Sequence, residues 1–471
     1  MNLVIRTGRT LSFATALLPL LIQPASADLG RLTVDEAVRM ALKDNSTIYA
    51  AMKQVEISEG AYKQTRSSIL PQVNATGDLS HSYQGAQNTG SNSVAGRTNG
   101  RTGSLSIGQS LINLQAWNNV RQANHNLEAT RHGEADTRLT VALAVKQQFY
   151  SLVRAKQIAV VQTDAVRRDS STLALTQGLF EVGTAPRTDL LKARTTAAQS
   201  QLTLITAAHT VDIERLRLAS LLGLQSDQGL DVDTTLAADA ALPDSTTLLA
   251  RAYQDRPDLL QLAEQSEAAG AGLASAQASR YPSLAASFGI QKSISTFTQD
   301  SSTVQERTLK ELKLITSPDT GFIPIYTTGS VFLPETSIVN RPYGWSIAAR
   351  LNIPIFDGFL AKGRIQQNAA QQDIARRDYQ QRKTDVALLV RQAWLSLQEA
   401  RQKTGVAADA LAFASENFEL TKEKYRLGSS TLLDLTTAEA QLTQSRSDVV
   451  DAAVGLQLAR AQLDRAVGMN P

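Results

Sequence analysis

The chain repeats itself, and this internal duplication is the feature that most constrains its fold. Residues 141–223 align with residues 386–468 at a constant offset of 245 without a gap, and 26 of the 83 aligned positions are identical. That agreement is several times the level expected for unrelated sequence, so it indicates one structural unit built twice. The two copies meet in a single molecule, and any function must use both.

A second pair of matching segments lies nearer the N-terminus of each copy. Pro71 pairs with Pro282 at an offset of 211, so the offset grows by 34 between the two blocks (245 − 211). The second copy therefore carries an insertion. We place the repeats at about 28–223 and 240–468.

The first residues have the composition of an export signal. Basic residues precede an apolar run at 11–22, and Ala25-Ser26-Ala27 follows. This order is typical of a secretory signal peptide over residues 1–27, with cleavage after Ala27. We expect residues 28–471 to form the mature protein.

Composition and motifs argue against several classes of function. The chain has no cysteine, which excludes disulfides, thiol chemistry and a lipidated N-terminal cysteine. The formal charge of +3 falls to about +1 without the two arginines of the signal, so nucleic acid is not an expected partner. We find no phosphate loop, hydrolase elbow or paired-carboxylate motif, and expect neither an enzyme nor a cofactor. The four histidines are scattered and predict surface positions rather than a metal site: His81, His125, His132 and His209.

Four segments alternate between apolar and small or polar residues. The alternation predicts strands with one apolar and one polar face, at 72–83, 102–112, 283–297 and 342–354. Tyr83, Tyr343 and Trp345 suit the aromatic positions at a membrane interface.

The connections within the two strand pairs differ. Residues 84–100 are rich in Gly, Asn and Ser and predict a solvated loop. Residues 298–341 carry most of the insertion and three prolines, so we interpret them as a long surface loop with the length of a lid or plug.

Long helices are predicted in both copies. Apolar residues recur at spacings of three and four over about 115–222 and 357–468, broken by turns at Gly183 and Gly428. An unbroken first arm of such a hairpin is about 100 Å long. A shorter helix opens each copy, from Thr33 towards Pro71 and from about Ser245 to Arg280.

These elements together predict an exported, oligomeric tube. Four amphipathic strands are too few to close a membrane barrel, which needs at least eight, so several protomers must share one. Two helical hairpins on the same side would extend the pore. The alternative from the pattern alone is a periplasmic coiled-coil interaction or adaptor protein with a small sheet.

Several motifs resemble a known family. The strand-to-helix segment 345–358, Arg-Pro-Asp-Leu at 256–259 with Tyr-Pro-Ser-Leu at 281–284, and the paired tip segments 180–190 and 425–435 are similar to motifs of TolC-family outer-membrane efflux proteins. The resemblance covers essentially the whole mature chain, in order and in both repeats.

This resemblance implies a homotrimer in the outer membrane of a Gram-negative bacterium, with a large periplasmic portion. It implies a 12-stranded barrel, a tunnel of 12 helices and an equatorial segment at about 224–242. The implied function is passive: an exit duct for an inner-membrane transporter, reached through a periplasmic adaptor (membrane fusion protein), in efflux or type I secretion. The sequence does not name the cargo.

The resemblance also implies roles for residues at the helical tips. Asp434 matches an acidic position that rings the closed entrance, although it also suits a simple helix cap. Asp189 and Tyr425 match partners in bonds that hold the inner hairpin closed. Thr437 replaces a second acidic ring position and Ser430 a basic latch residue, which predicts a weaker electrostatic latch. The expected adaptor-docking residues are Val182, Gly183, Thr184, Leu427, Gly428 and Ser429.

Overall fold

A computed structural model describes residues 31–85, 95–224, 226, 230–236, 244–315 and 321–469. Its helices and strands, in chain order, are α1 (Val34–Asp44), α2 (Ser46–Ser67), β1 (Gln72–Gln84), β2 (Gly96–Ile112), α3 (Leu114–Glu181), α4 (Arg187–Leu221), α5 (Ser245–Asp255), α6 (Pro257–Ala278), β3 (Ser283–Gln299), β4 (Ser302–Ile315), β5 (Gly321–Leu333), β6 (Thr336–Asn340), β7 (Tyr343–Asn352), α7 (Leu360–Arg426) and α8 (Leu432–Val467). The predicted signal peptide and parts of the predicted equatorial segment lie outside these residues.

Four long helices form one row. Helix α3 packs against α4 on one side and α8 on the other, and α8 packs against α7. The order across the row is therefore α4–α3–α8–α7. With 68 residues in α3 and 67 in α7, each of these helices is about 100 Å long.

The helix that opens each repeat is two helices, and the prediction of a single helix was wrong in both copies. Asn45 has extended backbone dihedrals between α1 and α2, and its side chain accepts a hydrogen bond from the Thr47 N–H at 2.9 Å, which starts a new helix. Arg256 is extended between α5 and α6, because the residue before a proline, here Pro257, avoids helical backbone.

The four predicted strands correspond to β1, β2, β3 and β7, which lie side by side in an antiparallel sheet. The register places apolar residues of neighbouring strands on one face; Leu105 is opposite Ile290, which is opposite Trp345. The alternate face carries hydroxyl side chains, and the Thr76 and Ser104 hydroxyls lie 2.6 Å apart there. The sheet is thus amphipathic across all four strands.

Both predicted loops contain strand. Strand β2 begins at Gly96, within the predicted loop 84–100, and pairs there with Gln84. Of the predicted loop 298–341, the described residues 302–315 and 321–333 form the β4–β5 hairpin, and residues 336–340 form the short strand β6. The proline argument failed because Pro324 lies in a two-stranded hairpin, where a strand tolerates the missing N–H at its free edge.

The largest apolar core joins the first opening helix to the middle of the row. Leu32 forms a parallel bridge with Val232, and both side chains are buried against α3. Lys156 of α3 forms an ion pair with Asp231, and the Gln157 side chain donates to Thr234 O at 3.2 Å. These contacts hold the described part of the predicted equatorial segment against α3.

The second core repeats this arrangement in the other copy, where α5 packs against α7 and α8. Within the residues described, none of the helices is both long and apolar enough to cross a membrane.

Candidate functional site

Both hairpins end in the same type of turn. At the end of α3, the Thr184 N–H donates to Leu179 O at 2.9 Å and the Gly183 N–H to Phe180 O at 3.0 Å. These bonds define a Schellman motif, in which the glycine stands just past the helix end. The duplicated arrangement ends α7, where the bonds are Ser429 N–H to Lys424 O at 2.8 Å and Gly428 N–H to Tyr425 O at 3.0 Å.

The glycines are required by the backbone. Gly183 and Gly428 have φ angles of +78° and +74°, a left-handed conformation that strains other residues. An added Cβ would meet nothing within 4 Å at either position. The backbone conformation, and not a lack of space, therefore requires glycine at these positions. This requirement explains why both repeats have glycine at the equivalent position.

Each turn exposes an apolar side chain at its apex. Val182 and Leu427 precede the two glycines, and each is 73% exposed. Thr184 and Ser429 are also exposed, although the Thr184 hydroxyl donates back to Leu179 O at 2.9 Å. The six residues predicted for adaptor docking thus lie at the solvent-exposed apexes of the two hairpins.

Asp434 caps the first turn of α8. Its Oδ2 accepts from the Thr431 N–H at 3.0 Å, the Thr431 hydroxyl at 2.8 Å and the Ser430 hydroxyl at 3.1 Å, and its own N–H donates to Thr431 Oγ1 at 3.1 Å. The Thr431 N–H bond, followed by the two hydroxyl bonds, holds the pKa of Asp434 below its usual 3.8. The carboxylate is exposed and negative, so capping and an electrostatic role are compatible.

The two departures from the family pattern lie beside this carboxylate. Ser430 donates to Asp434, as described, and contributes no positive charge. Thr437 is exposed one turn further along α8, and its hydroxyl donates to Leu433 O at 2.7 Å. The tip of α8 therefore carries one negative charge in its first turn.

Tyr425 and Asp189 occupy different environments. The Tyr425 side chain is buried near the end of α7, and its hydroxyl lies 3.2 Å from the Thr176 hydroxyl of α3. Asp189 is half-buried in the first turn of α4, and its N–H donates to Pro186 O at 3.1 Å. The hydroxyl bond of Tyr425 thus links the α7–α8 hairpin to α3.

Apolar residues fill the space behind the tips. Tyr425 packs in a cluster of buried side chains from α4, α7 and α8: Ala193, Phe418, Leu432, Leu435, Ala438 and Leu442. Leucines of α3 pack against this cluster. The tip is therefore a packed structure and not a frayed end.

A row of polar contacts joins α3 and α8 on the side of this cluster away from the tips. The sequence analysis did not predict these contacts. Thr172 donates to Glu439 Oε1 at 2.5 Å, and Arg168 Nη2 donates to Thr443 Oγ1 at 2.7 Å. Further from the tip, Arg154 forms two hydrogen bonds to Asp451, at 2.6 and 2.9 Å. The partners are more than 260 positions apart in sequence, so no local pattern could reveal them.

One histidine has a partner that the sequence did not show. His125 Nδ1 lies 2.7 Å from Glu264 Oε2, and both side chains are half-buried between α3 and α6. His81 and His209 are exposed as predicted, whereas His125 and His132 are not fully at the surface. No group of three or more His, Asp or Glu side chains arranged to hold a metal ion occurs in the described residues.

The three aromatic residues predicted for the membrane interface are all exposed on the sheet. Tyr343 and Trp345 lie two positions apart on β7, on the apolar face, and Tyr83 lies near the far end of β1. All three rings are uncovered in the single protomer.

A family profile described as "Outer membrane efflux protein" matches residues 37–224 and 248–469, which is most of the chain. The chain belongs to the outer membrane efflux protein family. This assignment confirms the resemblance to TolC-family channels and the location in the outer membrane, with a helical periplasmic portion. The family consists of transport channels rather than enzymes.

Curated relatives of this efflux protein are distant but extend over nearly its whole length. The toluene efflux pump outer membrane protein TtgC of Pseudomonas putida is 20% identical over 447 residues, covering 92% of this chain and 82% of the relative. The outer membrane efflux protein BepC of Brucella suis biovar 1 is 23% identical over 442 residues, covering 93% and 85%.

Solved structures share the fold at low sequence identity. The outer membrane protein VceC from Vibrio cholerae has a TM-score of 0.74 at 16% identity, covering 92% of this chain and 96% of that chain. The outer-membrane channel OprN has a TM-score of 0.73 at 17% identity, covering 93% and 90%. The duplicated architecture of strands and helical hairpins is thus the fold of this family.

Proposed function

We propose that this outer membrane efflux protein works as a homotrimer, a passive exit duct that receives substrates from an inner-membrane pump through a periplasmic adaptor. Three copies of the strands β1, β2, β3 and β7 form a 12-stranded barrel, and three copies of the four-helix row form a 12-helix tunnel. The protein supplies a path and a gate, while the pump supplies the energy and selects the cargo.

Two exposed apolar stripes carry this proposal. One lies on α7, at intervals of seven or eleven residues: Leu388, Leu395, Val406, Phe413 and Leu420. The other lies on α4: Leu191, Leu202, Ile205 and Leu216. Repeats of seven and eleven residues keep a stripe on one side of a helix.

The position of these stripes favours a closed ring of identical copies. Helices α4 and α7 are the two ends of the row α4–α3–α8–α7. A contact between α4 of one copy and α7 of the next would cover both stripes. Because such a contact is head-to-tail, it generates a ring when the rotation closes.

The sheet also has two unpaired edges. Strand β1 lies at one edge and β7 at the other. Unpaired strand edges are unstable in lipid, where each backbone N–H and C=O needs a partner. Pairing β1 of one copy with β7 of the next closes 12 strands, which exceeds the minimum of about eight for a membrane barrel.

The height of the sheet fits a membrane. Tyr343 at the start of β7 is opposite Lys292, nine positions along β3 from Ser283 at the helical end (292 − 283), which is about 30 Å along the strand. At a strand tilt of about 40°, this length is close to the apolar band of an outer-membrane barrel, which is about 25 Å tall. Tyr83, near the end of β1, lies at the same end of the sheet as Tyr343, away from the helices.

At the other end of the molecule, the tips provide the docking surface and the entrance gate. Val182 and Leu427 give an adaptor apolar contacts on rigid turns. Three copies of Asp434 ring the entrance; crowded carboxylates attract cations and repel one another. Asp189, Tyr425 and Thr437 complete the gate region.

The function is tested by reconstituting the full-length protein in a planar lipid bilayer. We expect stepwise ion currents from the wild-type protein and a trimeric mass in detergent. Phe413→Glu, which places a charge in the α7 stripe, should abolish both, whereas Glu416→Gln, an exposed position on the same helix, should preserve both. A conducting Phe413→Glu monomer, or a wild-type protein without currents, would contradict the proposal.

A further inference from the structure

A buried acid lies in the seam where the two hairpins of one protomer meet. Glu439 of α8 is 4% exposed, and its Oε1 accepts a hydrogen bond from the Thr172 hydroxyl of α3 at 2.5 Å. Its second oxygen, Oε2, is buried and has no hydrogen-bond partner among the described residues. An ionised carboxylate in this position is costly, since half of its charge has no donor.

Arg168 of α3, one helical turn from Thr172, also has a buried polar atom without a partner among the described residues. Arg168 Nη2 donates to Thr443 Oγ1, and the Thr443 hydroxyl donates to Glu439 O at 2.9 Å, yet Arg168 Nε is buried without a partner among the described residues. Within the described residues Arg168 and Glu439 are near each other but form no direct ion pair. The seam therefore holds a carboxylate that forms no ion pair with Arg168.

Charged groups face Glu439 from α3 and α7. Asp169 and Arg168 act on it from α3 and Lys422 from α7, with opposite signs. Glu419 and Arg446 line the same groove, of about 400 Å³.

Burial is the main cause of the resulting pKa. It raises the pKa of Glu439 above 4.5, the Thr172 bond lowers it, Asp169 raises it, and Arg168 and Lys422 lower it, with a net rise. Burial also raises the pKa of Asp169, which opposes a second negative charge in this region.

The seam is the place where the two hairpins can part. Tight turns tie α3 to α4 and α7 to α8, so within one protomer a movement of one hairpin against the other must open the α3–α8 contact. Tyr425, whose hydroxyl contacts Thr176, belongs to the same seam just below Glu439. A change at Glu439 therefore acts directly on the entrance below.

We propose that Glu439 is a proton-dependent gate residue: when its carboxyl group binds a proton, the α3–α8 seam packs more tightly and the periplasmic entrance closes. This inference rests on the proposed function as a gated duct. Opening of the seam would return Glu439 to water and restore its ordinary acidity. The packed seam therefore binds the proton more tightly than the parted seam does, and acid favours the packed state.

The direction of the pH effect follows from this difference. The seam is strengthened as the pH falls through the raised pKa of Glu439, which lies above 4.5, and is weakened as the pH rises through that pKa and the carboxylate ionises. A rise of one pKa unit corresponds to about a tenfold change in the ratio of packed to parted seams. Acidic periplasm would thus close the duct.

The absence of cysteine in the chain allows a direct measurement of the seam. Val182→Cys and Leu427→Cys place one thiol on each exposed tip, and a bifunctional thiol reagent reports how often the tips approach. In the full-length protein we expect the cross-linking yield to rise about fivefold between about pH 7.5 and pH 5. In Glu439→Gln it should be high at both pH values. Glu419→Gln, whose side chain is 63% exposed in the same groove, should behave as wild type.

A second variant tests titration rather than packing. Thr172→Val removes the hydrogen bond that stabilises the ionised carboxylate, so the midpoint of the pH response should move to higher pH. Asp169→Asn should retain most of the response, because Asp169 faces Ser200 of α4 and not the seam bond.

Bilayer currents separate this inference from the proposed function. An open probability that falls on acidification in wild type, but not in Glu439→Gln, supports both. If currents are absent while the cross-linking response depends on Glu439, the inference about the seam is supported and the proposed function as a duct is contradicted. A Glu439→Gln protein with the full wild-type pH response, or a Thr172→Val protein with an unmoved midpoint, would overturn the inference.

Discussion

The guanidinium group of Arg256 and the carboxylate of Asp258, two positions apart, form a buried pair with two hydrogen bonds of 2.9 and 2.8 Å. Arg382 of α7 adds a bond of 2.6 Å to Asp258 Oδ2, and Arg256 Nη1 donates to Ala466 O at 2.9 Å. A Cβ on Gly468 would come within 3.0 Å of Arg256 Cα. This pair thus joins the break between α5 and α6 to α7 and to the end of α8.

Loss of the Asp258 carboxylate should destabilise the protein markedly. Asp258→Ala leaves Arg256 buried without its anion, and breaking a buried pair from one side costs about 3 kcal/mol or more. The thermal unfolding midpoint in detergent measures the effect. Asp255→Ala removes a carboxylate that is 48% exposed and pairs with Arg251, and should change stability by less than about 1 kcal/mol. Equal effects of the two substitutions would contradict the role assigned to the pair.

The same pair predicts an acid-dependent loss of stability. Burial alone would raise the pKa of Asp258, but the hydrogen bonds and charges of Arg256 and then Arg382 outweigh it and lower the pKa from 3.8 to about 2. The pair therefore contributes its full stability above pH 3.8, and this contribution is lost as the pH falls through about 2. Unfolding midpoints measured across this window should fall in the wild type, and Asp258→Asn should lack that component.

Replacing glycine by alanine at two positions of the second hairpin should have opposite effects on the stability of the protein. Gly428→Ala forces a side chain into left-handed backbone, which should cost about 1 to 2 kcal/mol. Gly405→Ala, in the exposed interior of α7, should stabilise the protein by about 0.5 to 1 kcal/mol. Neither new Cβ meets an atom within 4 Å, so packing does not confuse the comparison. Unfolding midpoints that move in the same direction would show that the turn does not require a positive φ.

An acidic ring at the entrance predicts a specific change in cation block. Asp434→Asn keeps an oxygen that accepts the Thr431 bonds but removes the charge. Block of bilayer currents by divalent cations should weaken several-fold, because the ring of carboxylates that attracts the cations loses its negative charge. Asp448→Asn, at an exposed position further along α8, is the control. Unchanged block in Asp434→Asn would show that the residue is a helix cap and nothing more.

The helices and the four sheet strands were predictable because their order is local. Apolar residues at spacings of three and four marked α3, α4, α7 and α8, and alternation marked β1, β2, β3 and β7. The duplication strengthened each assignment, since Gly183 and Gly428 had to satisfy the same turn. The β4–β5 hairpin was missed because prolines were given more weight than the length of the segment.

The contacts of the candidate site were less predictable than its position. Asp434 and its cap follow from four neighbouring residues, so a sequence pattern contains them. The Tyr425–Thr176 and Glu439–Thr172 contacts join residues 249 and 267 positions apart, and depend on how α3 packs against α8. Nothing in the local sequence of either helix specifies that register.

The most direct test of the account is single-particle imaging of the protein extracted in detergent. Three copies joined through α4 and α7 predict a threefold particle with a hollow helical stalk about 100 Å long. The barrel should appear at one end and the tips with Gly183 and Gly428 at the other. A soluble monomer, a solid particle or a different symmetry would contradict the duct and favour a coiled-coil interaction protein.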